Sequence, residues 1–295
     1  MSDFRSQYAA VNGIQLHYVV DGHGPLIMFV HGFPEFWFGW EKQLVEFGKH
    51  YQVVAPDMRG YNLSEKPANV EDYHVKYLIE DLRALAEYLG HQKIIMVAHD
   101  WGGAVAWSAA IRHPELVEKL IIINSPHPAV FARELLSNPD QQKASQYMLM
   151  LRSAEAEGIL SENGYARLMS ILTYFGSKWE LSEEHRLRYI DAWSQPGALT
   201  GSLNYYRASP LYPPISENDE EQIGSILNLP KEMFEVNVPT LVIWGEQDRA
   251  LLTGNLDGLE EYIEDLTVKR IPDGTHWVIH EQPEEVNVLI RDFIK

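Results

Sequence analysis

Short apolar runs recur along the chain and alternate with segments in which apolar residues follow a helical spacing. Two runs of alternating apolar and polar residues over 8–20, joined by Asn12-Gly13, predict a β-hairpin. Further apolar runs predict buried strands at 26–30, 53–55, 94–97, 120–123, 240–244 and 268–271. Helical spacing predicts helices over 77–89 and 281–294. Strands that alternate with helices in this way indicate an α/β fold with a mostly parallel sheet flanked by helices on both faces.

One long interval departs from this alternation. Between about residues 130 and 225 no strand-like run occurs, and a composition rich in Tyr, Met, Leu and Trp favours helices, interrupted at Pro196-Gly197. We therefore predict a core formed by residues 1–130 and 226–295, with residues 131–225 inserted after the sixth strand as a helical cap. The acidic segment 216–221 is predicted to be a solvated return loop, not a metal site.

The strand predicted at 94–97 runs directly into a turn and a predicted helix. Small residues, Ala98 and Gly102, bracket Asp100 with the spacing of a nucleophile elbow, a sharp strand-to-helix turn that holds its central side chain above the sheet. The helix N-terminus at such a turn favours an anion. The motif usually carries serine at its centre, so the aspartate predicts different chemistry. The alternative is an aspartate that only caps a core helix.

An aspartate at this position is a nucleophile that needs no base to activate it. With an ordinary pKa of roughly 3.9, it is ionised at neutral pH. A carboxylate attacks esters poorly, but it can displace a leaving group from saturated carbon and form an alkyl-enzyme ester. A histidine-activated water can then hydrolyse that ester. Asp100 therefore predicts cleavage of carbon–halogen or strained carbon–oxygen bonds, not of peptides or ordinary esters.

Two further candidate catalytic residues follow predicted strands, in the order nucleophile, acid, histidine that is typical of α/β-hydrolases. Asp248 follows the strand at 240–244 and His276 follows the last strand. Both should therefore lie with Asp100 at the carboxyl edge of the sheet. His276 would activate water, and Asp248 would orient the imidazole and stabilise its charged form.

Three neighbouring residues compete with these assignments. Glu246 lies on the same loop as Asp248 and could orient the histidine instead. His280 is predicted to lie at the surface or to cap the closing helix. His99 precedes the nucleophile, points the other way at the elbow and is predicted to be structural.

The tetrahedral intermediate of ester hydrolysis needs backbone N–H donors around its oxyanion. The predicted donors are the Trp101 N–H, next to the nucleophile, and the Phe33 N–H, in the loop after the strand at 26–30. Pro34 has no N–H and is excluded. His31 is predicted to brace this loop.

Composition removes several other classes of function. The 295-residue chain carries 24 Lys and Arg against 42 Asp and Glu, a formal net charge of -18, which argues against binding to nucleic acid or to an anionic membrane surface. The chain has no cysteine, which excludes disulfides and thiolate chemistry. No stretch is apolar for long enough to span a membrane, and residues 1–8 lack the apolar segment of a signal peptide, so we expect a cytoplasmic protein.

Five motifs together resemble the epoxide hydrolases of the α/β-hydrolase fold, and the resemblance covers nearly the whole chain. The motifs are His31-Gly32-Phe33-Pro34-Glu35, Asp57-x-Arg59-Gly60-Tyr61-x-x-Ser64, His99-Asp100-Trp101-Gly102-Gly103, Trp244-Gly245-x-x-Asp248 and His276-Trp277. Asn62 replaces a glycine that is common in the family. Because asparagine tolerates a positive φ better than other non-glycine residues, the turn is expected to survive.

The resemblance implies two cap tyrosines that hydrogen-bond the epoxide oxygen and protonate it as the ring opens. Tyr206, in Asn204-Tyr205-Tyr206-Arg207, matches the second of them and Tyr147 matches the first, with Tyr205 and Tyr174 as alternatives. A phenol with a pKa of roughly 10 stays protonated at neutral pH and can supply this proton. The implied product is a vicinal diol, and no cofactor or metal is implied.

Dehalogenases place the same Asp–His–acid set on the same fold and are the main alternative. Haloalkane dehalogenases usually carry asparagine where Phe33 stands. Fluoroacetate dehalogenases carry arginines where Trp101 and Ala104 stand, and their acid where Asn124 stands. These departures favour epoxides.

Two remoter alternatives find less support. A serine esterase would need serine at position 100, and a non-catalytic binding protein would be expected to lack one of the three catalytic residues. We therefore predict the hydrolysis of a small lipophilic epoxide by water, in an apolar pocket lined by Trp101, Phe33 and Trp37. No nucleic-acid or membrane partner is expected.

Overall fold

The computed structural model describes residues 4–173 and 179–295 of the chain. Its strands are β1 (Arg5–Val11), β2 (Ile14–Asp21), β3 (Leu26–Val30), β4 (Gln52–Pro56), β5 (Ile94–His99), β6 (Val117–Ile123), β7 (Thr240–Gly245) and β8 (Leu266–Ile271). They include every predicted strand, and most are slightly longer than predicted.

The eight strands form one sheet in the order β1-β2-β4-β3-β5-β6-β7-β8. The hairpin of β1 and β2 turns at Asn12-Gly13 and is antiparallel, as is the pairing of β2 with β4. All other neighbours are parallel. The predicted fold class, a mostly parallel α/β-hydrolase sheet, is therefore confirmed. The loops after β3, β5, β7 and β8 consequently leave the sheet at the same edge.

Helices lie in the connections from β3 to β4, β4 to β5, β5 to β6 and β6 to β7, and after β8. They are α1 (Glu41–Phe47), α2 (Val75–Tyr88), α3 (Trp101–Arg112), α4 (Pro128–Ser137), α5 (Pro139–Ala144), α6 (Tyr147–Arg152), α7 (Ala156–Thr173), α8 (Glu183–Ser194), α9 (Ala198–Ala208), α10 (Glu217–Leu227), α11 (Val278–Glu281) and α12 (Pro283–Ile294). Helix α7 contains a kink at residues 162–165, where the backbone is not helical. The predicted helices over 77–89 and 281–294 correspond to α2 and α12.

Both faces of the sheet are covered by apolar cores. Alternate residues of β3 point to opposite faces, so that Met28 packs on the same side as Val105 of α3. Ile27 packs on the other side, with Leu44 of α1 and Ile290 of α12. Burial of both faces explains why the central strands are continuous apolar runs in the sequence.

The interval between β6 and β7 contains helices α4 to α10 and no strand among its described residues. The predicted loop at 216–221 is wrong in one respect, because most of it forms the first turn of α10. Ser216 caps this helix, with its side chain accepting a hydrogen bond from the Asp219 N–H at 3.3 Å. Across residues 4–173 and 179–295, no helix is both long enough and apolar enough to cross a bilayer.

Candidate active site

Asp100 stands at the turn between β5 and α3, with φ 51° and ψ -124°. A positive φ is costly for a non-glycine residue and persists only where the surrounding structure enforces it. Gly102 allows the turn to pack closely, because a Cβ at this position would lie 2.2 Å from the Val30 carbonyl oxygen. Ser125 Oγ donates a hydrogen bond to the Asp100 carbonyl oxygen at 2.7 Å. The strand-to-helix turn is therefore as sharp as the elbow motif predicts.

His276 lies between two carboxylates. Its Nδ1 donates a hydrogen bond to Asp248 Oδ2 at 2.8 Å, and its Nε2 lies 3.6 Å from Asp100 Oδ2. Asp248 Oδ1 in turn accepts the backbone N–H groups of Ala250 at 2.8 Å and Leu251 at 3.0 Å. Because Nδ1 is bonded to Asp248, Nε2 is the ring nitrogen that faces Asp100.

The alternative partner for His276 has another role. Glu246 Oε1 pairs with Arg270 Nη1 at 3.2 Å, at the exposed side of the loop. Asn124 Nδ2 donates a hydrogen bond to Asp248 Oδ2 at 2.9 Å. The position where fluoroacetate dehalogenases carry their acid therefore holds an amide that orients Asp248.

The surrounding charges hold a proton on His276. Burial lowers the pKa of His276, but the charge and hydrogen bond of Asp248, with the charge of Asp100, outweigh burial and raise this pKa to about 9. Burial raises the pKa of Asp248, yet His276 and two backbone N–H groups hold it below its usual range. At neutral pH the site therefore contains an imidazolium between two carboxylates.

The two oxygens of the Asp100 carboxylate have different surroundings. Oδ1 accepts a hydrogen bond from the Phe33 N–H at 2.7 Å, whereas Oδ2 faces the imidazole. The Phe33 loop is braced by His31, whose Nε2 accepts the Met58 N–H at 3.0 Å. Trp101 is the first residue of α3, so its N–H belongs to the helix N-terminus next to the nucleophile. Both predicted oxyanion donors thus belong to the segments that adjoin Asp100.

Tyr147 of α6 and Tyr206 of α9 line the same cavities as Asp100. The Tyr206 ring contacts Trp101 edge-on, with centroids 5.0 Å apart, and lies 6.4 Å from the Tyr147 ring. Burial, reinforced by the charge on Asp100, raises the pKa of both phenols well above the usual range. Both hydroxyls therefore remain protonated at neutral pH and can act as hydrogen-bond donors.

Tyr205 and Tyr174 are the alternative candidates for the acid that protonates the epoxide oxygen. Tyr205 is buried, and its hydroxyl donates a hydrogen bond to the Arg59 carbonyl oxygen at 2.9 Å. This bond engages the Tyr205 hydroxyl with the backbone, although Tyr205 also lines the first of the cavities that contain Asp100. Tyr174 lies outside the described residues.

Two arginines connect the helices that carry Tyr147 and Tyr206. Arg152, at the end of α6, donates a hydrogen bond to the Tyr206 carbonyl oxygen in α9. Arg207, in α9, donates to the Ser153 carbonyl oxygen at 2.9 Å and pairs with Glu157 through two contacts of 2.8 Å. Each arginine thereby satisfies a carbonyl near the C-terminal end of the opposite helix. Sequence analysis missed both arginines, although Arg207 lies within the motif that contains Tyr206.

Two cavities meet at Asp100, because Asp100, Tyr147 and Tyr206 line both of them. The first cavity has a volume of about 480 Å³, and its mostly apolar lining includes Trp101, Val105, Phe131, Met148 and Leu211. The second cavity has a volume of about 670 Å³, and its lining includes Phe33, Lys143, Arg167, Arg249, His276 and Trp277. The carboxylate is therefore accessible from two sides.

Trp37 was predicted to line the substrate pocket, and the structure corrects this prediction. Trp37 is not one of the described residues that line the two cavities. Its ring packs edge-on against Phe4, Phe36 and Phe38, with centroids 5.7 to 6.0 Å apart. The short 3₁₀ helix that begins at Trp37 turns the indole towards these rings. Of the other two predicted lining residues, Trp101 lines the first cavity and Phe33 lines the second.

Comparison with known proteins shows the family of this chain. A family model described as the alpha/beta hydrolase fold matches residues 25–283. Epoxide hydrolase 3 of Xenopus tropicalis is 36% identical over 96% of this chain and 76% of its own length. The AB hydrolase superfamily protein YfhM of Bacillus subtilis is 38% identical over 100% of this chain and 99% of its own length. The chain belongs to the epoxide hydrolases of the α/β-hydrolase fold.

Solved structures of epoxide hydrolases agree with this assignment. The Bacillus megaterium epoxide hydrolase, solved in complex with an inhibitor, superimposes with a TM-score of 0.89 at 38% sequence identity. The match covers 98% of this chain and 99% of the other. The likeness therefore includes the helical interval between β6 and β7 as well as the sheet.

Behind His276, this member of the epoxide hydrolases has a buried polar cluster that sequence analysis did not predict as a group. Glu35 Oε1 accepts hydrogen bonds from His280 Nε2 at 2.6 Å and from the Tyr189 hydroxyl at 2.9 Å. Its other oxygen lies 3.6 Å from His99 Nδ1, and His99 Nε2 donates to the His276 carbonyl oxygen at 2.8 Å. Although burial raises the pKa of Glu35, the two histidines hold it well below the usual range.

The prediction that His280 lies at the surface or caps a helix is wrong. His280 is only 8% exposed, and its ring stacks on Trp179 with centroids 3.8 Å apart. In the sequence, Glu35 stands among aromatic residues, and a buried carboxylate needs a partner. This need was the signal that could have identified His280 as a buried partner.

Within the described parts of the chain, no group of three or more acidic or histidine side chains is arranged to hold a metal ion.

Proposed function

We propose that this protein hydrolyses lipophilic epoxides to vicinal diols in two steps, through a covalent ester on Asp100. The observation that carries the proposal is the asymmetric setting of the Asp100 carboxylate. One oxygen accepts the Phe33 N–H, the other faces His276, and two protonated tyrosines line the same cavities. The site therefore brings together the proposed nucleophile Asp100, the base His276 and two acids, the cap tyrosines.

In the first step, Asp100 Oδ2 attacks a carbon of the epoxide ring. The carbon–oxygen bond of the ring breaks, and its electron pair moves to the epoxide oxygen. Tyr206 or Tyr147 gives its proton to that oxygen, because an alkoxide is a poor leaving group. Oδ1 meanwhile remains bonded to the Phe33 N–H, so the ester forms with its carbonyl oxygen already in the predicted oxyanion hole.

In the second step, His276 removes a proton from water and the oxygen attacks the Asp100 carboxyl carbon. Negative charge develops on Oδ1, where the Phe33 and Trp101 N–H groups are the proposed donors. The intermediate then expels the alcohol oxygen that was Oδ2. This oxygen takes the proton of the new carboxyl group, so the diol leaves and Asp100 is again a carboxylate. The water oxygen stays in the carboxylate, and Asp248 stabilises the imidazolium that has formed.

The charge on Asp100 links the two steps. In the free enzyme, this charge helps to raise the pKa of His276 to about 9. Formation of the ester neutralises Asp100, so one of the two negative charges that favour the imidazolium disappears. The pKa of His276 therefore falls when a base is needed, and its proton passes to the phenolate that the first step leaves on Tyr206 or Tyr147.

This linkage predicts that Asp100→Asn lowers the pKa of His276. The carboxylate favours the charged imidazole, so its replacement by a neutral amide removes that support while the hydrogen bond to Asp248 remains. A pH titration of the imidazole resonances by NMR, with His276→Gln to assign the signal, measures the shift. An unchanged or higher pKa in Asp100→Asn would contradict the linkage.

Gly32 is predicted to be required for the position of the nucleophile. A Cβ at this residue would lie 2.2 Å from Asp100 Oδ1, so Gly32→Ala must displace the carboxylate. We expect kcat to fall by about a hundredfold, the usual effect of a misplacement of about 1 Å. Gly158→Ala, whose added methyl group meets nothing within 4 Å, is the matched control. Epoxide turnover and thermal unfolding of both variants test this, and wild-type turnover in a folded Gly32→Ala protein would refute it.

The covalent route can be tested by isotope transfer in a single turnover. With enzyme in excess over epoxide in ¹⁸O-enriched water, the diol from the first turnover should contain no ¹⁸O, because its new oxygen comes from Asp100. Under multiple turnovers the label should appear in the diol. A labelled diol in the first turnover would show direct attack by water and would overturn the two-step proposal.

The helical segment 131–225 is proposed to act as a cap over the site. It carries Tyr147 and Tyr206, and its residues line both cavities together with residues of the core. A dehalogenase would use the same nucleophile and base but would need N–H donors for a halide instead of acids. The two phenols beside Asp100, of which Tyr206 is buried and Tyr147 half-buried, therefore favour an epoxide over a haloalkane.

A further inference from the structure

The rim of the second cavity carries an unusual charge for this protein. Lys143, Arg167, Arg249 and Asp140 line it, and all four side chains are exposed. Three cations against one anion contrast with the whole chain, in which 42 acidic residues outnumber 24 basic ones. The rim is therefore a local reversal of the overall charge.

The three cationic side chains of this rim have no polar partner among the described residues. Within residues 4–173 and 179–295, Lys143, Arg167 and Arg249 make no side-chain hydrogen bond and no ion pair. Half of the other described basic side chains form an ion pair, as Arg207 does with Glu157 and Arg83 does with Glu80. The rim cations are thus available to a ligand.

We propose that Lys143, Arg167 and Arg249 bind an anionic group of the substrate, so that the enzyme prefers epoxides that carry a carboxylate. This inference rests on the proposed epoxide hydrolysis and adds a substrate class to it. The cavities meet at Asp100, so an epoxide held there can extend an apolar group into the first cavity and its anionic group towards the rim of the second.

Electrostatics explains why such a rim is needed for this substrate class. A net charge of -18 and the nucleophilic carboxylate itself both repel an anionic substrate. Cations at the mouth of a cleft reverse the local potential and raise the local concentration of anions. Arginine also suits a carboxylate because its guanidinium can form two parallel hydrogen bonds.

The test compares two forms of one epoxide. The probes are the glycidyl ether of 4-hydroxybenzoate and its uncharged methyl ester, which differ in a single negative charge at neutral pH. The readout is the ratio of kcat/KM for the acid to kcat/KM for the ester. We expect Lys143→Glu/Arg167→Glu/Arg249→Glu to lower this ratio at least about tenfold, mainly through KM for the acid, and added salt to lower it in the wild type.

A matched control separates the rim from the overall charge. Arg5, Lys93 and Lys269 are exposed and line neither cavity in the described structure, so Arg5→Glu/Lys93→Glu/Lys269→Glu makes the same change in net charge elsewhere. A ratio that stays at the wild-type value in the rim variant, or falls equally in the control variant, overturns the inference. Epoxide opening in the uncharged methyl ester by the wild type tests the proposed function separately. If the wild type opens the epoxide of neither probe, both the proposed function and this inference are overturned.

Discussion

The double variant Tyr147→Phe/Tyr206→Phe is expected to open epoxides about a thousandfold more slowly than the wild type, because general acid catalysis contributes factors of about 10² to 10⁴. Without a phenol, the epoxide oxygen must leave as an alkoxide inside a buried site. Either single variant should lose less, since the other hydroxyl remains beside Asp100. Rapid mixing followed by mass analysis of the ester measures this step directly.

The matched control for this prediction is the neighbouring residue. Tyr205→Phe removes the same hydroxyl group one position away, where it donates a hydrogen bond to the Arg59 carbonyl oxygen. This change should reduce stability by about 1 kcal/mol, the usual contribution of one hydrogen bond, and leave ring opening unaffected. Wild-type ring opening in the double variant would refute the role of the two phenols.

Asp100→Ala is expected to abolish turnover, with a loss of at least about 10⁴-fold, because no other group can form the ester. The variant retains His276, Asp248 and both tyrosines, so any residual activity reports direct attack by activated water. Steady-state diol formation and thermal unfolding of the purified variant measure activity and folding separately. A folded variant that kept more than about a hundredth of wild-type activity would contradict nucleophilic catalysis by Asp100.

Much of the site could be predicted because its parts follow strands. Asp100, Asp248 and His276 each lie just after an apolar run, and a parallel sheet brings such positions to one edge. The elbow was predictable because Ala98 and Gly102 are the small neighbours that a crowded turn requires. Local patterns of this kind translate directly into backbone geometry.

Other features depend on contacts between distant segments, and no local pattern reveals them. His280 meets Glu35 across 245 positions of sequence, so its place on a short helix suggested a surface residue. Trp37 follows the Phe33 loop closely, but the 3₁₀ helix turns its ring into an aromatic cluster. The second cavity and its cationic rim bring together residues from α5, α7 and the loop after β7.

The measurement that tests the central claim most directly is the intact mass of His276→Gln after incubation with an epoxide. Without the base, the ester on Asp100 should accumulate, so the mass should rise by that of one whole epoxide, with the modification mapped to the peptide that contains Asp100. The same gain should be absent in His276→Gln/Asp100→Ala. A protein that forms no adduct with epoxides, or gains only an alkyl group and only from haloalkanes, would contradict the account.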